Sequence, residues 1–301
     1  MDRPSSPPPR SGPVSASNAV PESNAVPAQD PQPSNPAGSA GPAPRTGAAP
    51  HRGGRDQAGR RRARERAATD RDIRQTARTL LVEHGPEAVT LRAIARELGI
   101  TAPALYRYYG SRDDLLEHLR ADVVADLGEA LAGEIAGHEA GGPRRLFAIC
   151  RGFRQWALAH INEFTLVFAS GATAATSSTA KLQQLTEPFG RLFLLAAGDV
   201  LLADEAALPS DDVVPAELRD DLAGYRDALL AVLAGAGIDV PPQRLTVGTT
   251  YLMMQFWARL YGHVTLEVFG NYPIPLAKPD ALFDALLADL AREIGLDTTV
   301  T

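Results

Sequence analysis

Two helix starts fall eleven residues apart, at Thr90 and Thr101, with a glycine between them at Gly99. This punctuation constrains the fold more than any other feature of the chain. Thr90 precedes Leu91, Ile94, Ala95 and Leu98, which are apolar at helical spacing, so it reads as an N-cap. Gly99 ends that helix, because glycine takes a left-handed C-terminal position at little cost. Ile100 is the apolar plug of the joint. Thr101 caps a second helix, and its first turn tolerates Pro103 because that amide needs no intrahelical partner. Leu105 and Tyr109 are expected to face inward, with Tyr106, Arg107 and Tyr108 on the rim. Two helices joined by a short Gly-containing turn form a helix-turn-helix, whose second helix enters the major groove of duplex DNA.

The flanks agree. Ile73, Ala77, Leu80 and Leu81 form one stripe of a helix expected from about Arg60 to His84, stopped by Gly85 and Pro86. It completes a three-helix module over residues 67–116. Ser111 caps the next helix, with Asp113 and Asp114 in its first turn, where acidic groups suit the dipole. The Leu115, Leu116, Leu119, Val123 and Leu127 stripe carries that helix out of the module and into a body. Further helical patterns follow at about 143–160, 162–171, 178–203, 215–235, 241–270 and 279–295, with no alternating β pattern. The expected fold is therefore all-α: a DNA-binding helix-turn-helix domain, then a helical bundle over residues 117–301. Ahead of both, residues 1–58 are rich in Pro, Ala, Ser and Gly. They hold too little apolar surface to offset their ordering entropy, and read as a disordered tail. Arg52, Arg55, Arg60, Arg61, Arg62, Arg64 and Arg66 make a basic arm running to about residue 66. It either tracks phosphates or the minor groove, or serves as a solubilising linker.

Charge divides the same way. The net charge of −6 conceals 14 arginines against 7 acidic residues over 51–112, and 13 basic against 26 acidic groups over 113–301. A basic module on an acidic body fits a module that meets phosphate and a body that does not. The single cysteine, Cys150, excludes an intramolecular disulfide and a cysteine-based zinc site, and its apolar surroundings read as a buried thiol. The histidines show no metal-ligand spacing, and neither a phosphate loop nor a nucleophile with its base is present, so no enzyme, metal or cofactor is expected. With no apolar run of about 18 residues and no apolar leader, the expectation is a cytoplasmic protein without a membrane segment.

The segments AVTLRAIARELGI and ALYRYYGSRDDLL, between Arg71 and Leu116, resemble the TetR family of transcriptional regulators. Tyr109 stands where many members have Phe, and Arg112 where they have Lys. The stretch from Trp257 to His263 is similar to the Trp/His-Gly subgroup, here in the order Tyr261-Gly262-His263. The resemblance implies an all-α homodimer with an effector-binding, dimerising C-terminal domain. Thr90, Tyr106, Tyr108 and Arg112 match family positions that touch phosphates. Thr101, Ala102, Pro103 and Ala104 form the turn set against base edges: a hydroxyl to donate or accept, and small side chains to meet a thymine methyl. No Arg, Asn or Gln lies in that turn, so specificity leans on DNA shape and on Arg92 or the arginine arm. Arg107 either reaches a phosphate or is solvated.

Residues 246–269 and 279–294 are apolar on more than one side. They read as the dimer element, or alternatively as central core helices. An effector pocket is expected between the body helices, with Trp156, Phe164, Phe168, Phe189, Phe193, Met253, Met254 and Trp257 as wall candidates and His263 or Gln255 as a polar anchor. Each of these is equally a core residue on spacing alone. Asp199 and Glu163 lie beside apolar stripes, facing a cationic ligand or water. The reading that follows is a ligand-responsive repressor on a pseudo-palindromic duplex operator. The alternative is a regulator whose body answers to a protein partner rather than a small molecule.

Overall fold

Arginine, alanine, glutamine and glutamate all favour helix, and the basic stretch ahead of residue 67 is built mostly from them. In the computed structural model, which describes residues 52–136, 143–169, 188–203 and 206–296, helix α1 runs from Arg52 to His84. Residues 52–58, expected in the tail, and the arm to residue 66 are thus the first turns of α1. Only the backbone is described for residues 52–56, 58, 143, 188 and 189. The remainder of the expected tail lies outside the described residues. Gly85 ends α1 at φ 81, its N–H donating to the Leu81 carbonyl at 2.8 Å.

Short helices α2 (Leu91–Glu97) and α3 (Ala102–Leu105) follow, then α4 (Arg112–Ile135). The Ser111 hydroxyl accepts the Asp114 N–H at 3.0 Å, while the Asp114 carboxylate accepts the Gly110 N–H at 2.9 Å, so the start of α4 is held from both sides. The body comprises α5 (Pro143–Ala159), α6 (Ile161–Phe164), α7 (Pro188–Leu202), α8 (Arg219–Gly235), α9 (Val247–Val268) and α10 (Pro279–Glu293). No strand occurs among the described residues. The chain widens after α6 into a π-helical turn, Thr165–Ala169, where one continuous helix was expected. The Thr165 hydroxyl donates to the Ile161 carbonyl at 2.7 Å, a local bond that competes with regular helix. Helix α7 begins only at Pro188, and the rest of the 178–203 expectation lies outside the described residues. Helix α9 starts later than expected because Pro241 and Pro242 hold the preceding turn, and Thr246 then caps it, accepting the Thr249 N–H at 3.2 Å. At Gly248 a Cβ would lie 2.3 Å from the Ser210 carbonyl, so only glycine lets the helix approach that loop.

Helix α4 is the axis of the molecule. Leu115, Leu116 and Leu119 pack with Ile73, Leu81, Ile94 and Leu105, whereas Val123, Leu127 and Leu131 continue into the body among Phe147, Phe153 and Leu287. One hydrophobic cluster therefore runs from Ile73 to Leu296. Helix α4 crosses the expected 116/117 boundary without a break. It packs on α5 and α7, and α9 packs on α5, α8 and α10.

Candidate nucleic-acid interface

Thr90 caps α2 as expected, its hydroxyl oxygen accepting the Ala93 N–H at 3.1 Å. Leu91, Ile94 and Ala95 are buried beneath it. Gly99 turns the chain at φ 64, and the Ile100 N–H donates back to the Ala95 carbonyl at 3.0 Å. Thr101 occupies the N-cap position of α3, yet its side chain makes no cap hydrogen bond. Its exposed hydroxyl thus remains available for an external partner. Helix α3 is one turn long, shorter than the Thr101–Tyr108 span expected, and tightens into turns through Tyr108. The cause is Tyr109. Its ring is buried, and its hydroxyl donates to the Asp70 carboxylate at 2.7 Å, which draws the chain back toward α1. Burial and the neighbouring Asp70 hold that phenol well above the usual tyrosine range.

The rim that results is exposed at Arg92, Thr101, Pro103, Tyr106 and Arg107, with Ala102, Ala104 and Tyr108 half-buried. Tyr106 keeps 56 % of its surface exposed, unusual for a tyrosine this close to a core. The Arg66 guanidinium stands 5.5 Å from the centre of the Tyr108 ring and donates to the Arg107 carbonyl at 3.4 Å. Arg112 departs from the expectation of a phosphate contact. Its Nε donates to the Val89 carbonyl at 2.8 Å and an Nη to the Pro86 carbonyl at 2.6 Å. The Pro86 carbonyl also accepts the Val89 N–H at 3.3 Å, so the arginine binds inward on the turn between α1 and α2 and braces the module.

Behind the rim, two ion-pair rungs join α1 to α4. Arg74 meets Asp122 at 3.0 Å, and one turn on Arg78 meets Asp126. Arg78 also reaches the buried Glu163 of α6 at 3.6 Å, and the Asn162 amide donates to the Val82 carbonyl at 2.9 Å. The end of α1 is thus tied to the body at the point where α6 begins.

Within the body a cavity of about 1130 Å³ opens between α4, α7, α8, α9 and α10. Phe168, Phe193, Met253, Met254 and Trp257 line it, together with residues that sequence reasoning did not place in the pocket, notably Tyr225, Phe256 and Tyr261. Tyr261 lies one turn beyond Trp257, a periodicity that would have found it. The two rings are 5.9 Å apart, and the Tyr261 hydroxyl donates to the Phe168 carbonyl at 2.6 Å. Fully buried Phe153 stands behind the wall, 5.5 Å from Phe168 and 5.9 Å from Trp257. Asp220 and Asp221 border the opening.

Trp156, Phe164, Gln255 and His263 do not line it. Trp156 packs flat on His160, 5.0 Å away, because its side of α5 faces away from the cavity. His263 faces α10 instead. Its Nε2 lies 3.1 Å from the Tyr272 hydroxyl and 3.8 Å from Glu267, beside the Phe283 ring at 5.2 Å. Burial holds that imidazole below its ordinary pKa, with Arg154 acting in the same direction and Glu267 opposing. Glu267 is itself paired with buried Arg154, at 2.6 and 2.5 Å. The Phe189 side chain lies outside the described residues. Asp199 meets Arg145 at 3.4 Å, and Glu163 meets Arg78, so neither carboxylate faces a ligand or bulk water alone.

A cationic, solvent-facing helix-turn-helix carried on a cavity-bearing helical body defines a class: a DNA-binding regulator. Comparison with known proteins gives the family. Residues 73–119 match the family model described as "Bacterial regulatory proteins, tetR family", and residues 146–290 match "Tetracyclin repressor-like, C-terminal domain". The HTH-type transcriptional regulators Rv1816 of Mycobacterium tuberculosis and Mb1846 of Mycobacterium bovis are each 31 % identical to this chain over 231 residues, covering 75 % of it and 91 % of the relative. The crystal structure of a protein described as regulatory, SCO4313, shares the fold at a TM-score of 0.53 and 23 % identity, over 76 % of this chain and 97 % of that one. This chain belongs to the TetR family and is a DNA-binding transcriptional regulator. These matches reach the family and do not single out the Trp/His-Gly subgroup. Among the described residues, no helix is long and apolar enough to cross a membrane.

Proposed function

We propose that the chain is a ligand-responsive repressor that binds a pseudo-palindromic operator as a homodimer. Residues 67–116 act as the reading head and 117–301 as the effector-binding, dimerising body. The observation that carries the reading is the exposure of Thr101, Pro103, Tyr106 and Arg107 on one rim above a fully packed head. Thr101, Ala102, Pro103 and Ala104 meet base edges. Arg92, Tyr106, Arg107 and Tyr108 meet phosphates or flanking groups. Thr90 keeps its cap and still has a hydroxyl proton to offer a phosphate.

Dimerisation is supported by the outer side of α9 and α10. Leu266, Phe269 and Leu282 are all exposed there, while Leu260, Val264 and Leu287 are buried on the inner side. A two-fold pair of such surfaces sets two heads about 34–36 Å apart, one turn of duplex. Phe168, Phe193, Met253 and Trp257 receive the effector, an apolar or aromatic small molecule by the character of the walls. Helix α4 borders that cavity at Val124 and starts in the head, so a ligand that favours one tilt of α4 changes the separation of the reading heads. The loss of operator affinity equals the effector's preference for that tilt. Such a regulator works in the cytoplasm, beside the chromosome. Mobility shift of the dimeric protein on DNA upstream of its own coding region tests the proposal. Retardation at low salt is expected, and its absence would sink the reading. Selection of bound duplexes from a random pool then returns a palindrome with half-sites one turn apart.

A further inference from the structure

Helix α1 is about 50 Å long at 1.5 Å per residue, far longer than the head it packs on. Its packed face begins at Ile73 and continues through Ala77 and Leu81, all fully buried. Toward the N-terminus no described residue covers it: Gln57 and every residue from Gly59 to Ala67 are exposed. The face itself does not end there. At about 100° per residue, Arg66 and Arg62 fall within about 20° of the direction of Ile73, whereas Arg60, Arg61 and Arg64 fall at least about 120° away. The side of the helix that is apolar over the head thus becomes arginine where the head stops. Arg66 fixes the relation to the rim, through its contacts with the Tyr108 ring and the Arg107 carbonyl. On the outer side Arg61 is paired with Glu65 at 3.0 Å.

We infer that the inner face of the α1 extension, Arg62 and Arg66, is a second DNA-contacting surface that grips backbone phosphates flanking each half-site. The partner is duplex DNA, by charge complementarity and by continuity with the rim. This rests on the proposed function and deepens it. The basic segment acts as a rigid helix with one working face. Neither an extended arm in the minor groove nor an evenly solvated charge run describes it. Arg62 and Arg66 lie one turn apart, so both address the same stretch of strand. They add affinity without base specificity, because phosphate contacts carry no sequence information directly.

The two faces can be separated experimentally. Operator affinity is measured against salt for the full chain, for Arg62→Gln with Arg66→Gln, and for the triple Arg60→Gln, Arg61→Gln, Arg64→Gln. Each released phosphate contact removes about 0.9 from the slope of log K on log salt. The inner pair, counted over two protomers, should lower the slope by about 3 to 4. The outer triple should lower it by less than about 1, although it removes more charge. Arg62→Gln alone, which leaves the Arg66–Tyr108 contact intact, should lower it by about 2. Half-site preference from a random pool should not change for any variant. Equal loss per charge on both faces, or no loss from the inner pair, would overturn the inference while the operator complex itself stands. Failure of the unaltered chain to bind any selected duplex would overturn both.

Discussion

Tyr106 and Arg112 are six residues apart, and their surroundings assign them opposite work. Tyr106 projects from the rim, so Tyr106→Phe should leave the melting temperature unchanged and weaken operator binding by about fivefold per half-site, the worth of one hydrogen bond in each protomer. Arg112 holds the carbonyls of Val89 and Pro86, so Arg112→Ala should cost about 2 kcal/mol of stability. A shift in melting temperature for the tyrosine variant and none for the arginine variant would reverse the assignment. His263 supplies a pH test. Its pKa is lowered in the folded chain, so the unfolded chain takes up the proton first as pH falls. The stability due to the neutral imidazole is full above about pH 6.5, the ordinary histidine value, and is lost progressively below it. The drop in melting temperature between pH 7.5 and 5.5 should therefore be smaller in His263→Gln than in the unaltered protein. Sequence reasoning put His263 in the pocket because a histidine beside an aromatic stripe has no direction until the neighbouring helix is known. Helix α10, through Phe283, and Tyr272 of the loop before it supply that direction.

The joint between α2 and α3 was the most legible element, because caps and turns depend on residues a few positions apart. Thr90 and Gly99 each behave as local chemistry demands. Gly99 has φ 64, and nothing lies within 4 Å of the Cβ it lacks, so a substitution there is a pure test of backbone strain. Gly99→Ala should cost about 1–2 kcal/mol in chemical denaturation, and Gly99→Asn less, since asparagine tolerates the left-handed region better. Equal stability of all three would remove glycine from the argument. The length of α3 was not legible, because it is cut short by the Tyr109–Asp70 bond across 39 residues. The same holds for the first turns of α1, residues 52–58. Their composition suggested a tail, because helix propensity without an apolar stripe gives no periodic signal.

At the scale of the molecule, the exposed apolar strip of α9 and α10 is a liability in a monomer and a resource in a dimer. The unaltered protein should scatter light at twice the chain mass of 32.0 kDa, and Leu266→Asp at the single-chain mass. The variant should also lose at least tenfold in operator affinity, since two linked heads bind with far greater avidity than one. A monomeric unaltered protein that still binds a palindrome with full affinity would contradict this. Cavity and strip lie on the same helix, α9, with Leu252, Met254, Phe256 and Trp257 toward the cavity, Leu260 and Val264 toward the core, and Leu266 outward.

The amino-acid order alone settled the all-helical class, the helix-turn-helix and its rim, and the split between a basic head and an acidic body. Each follows from caps, periodicity and charge, which act over a turn or two of helix. Which side of each body helix faces the cavity was decided only by packing. Phe193 and Trp257 line it while Trp156 and His263 do not, though all four are ring side chains on helices of similar pattern. Arg112 likewise turned inward because the carbonyls of Pro86 and Val89, more than twenty residues earlier in the chain, came within its reach. Helical spacing states that a side chain shares a face, and only the neighbouring elements state what that face meets.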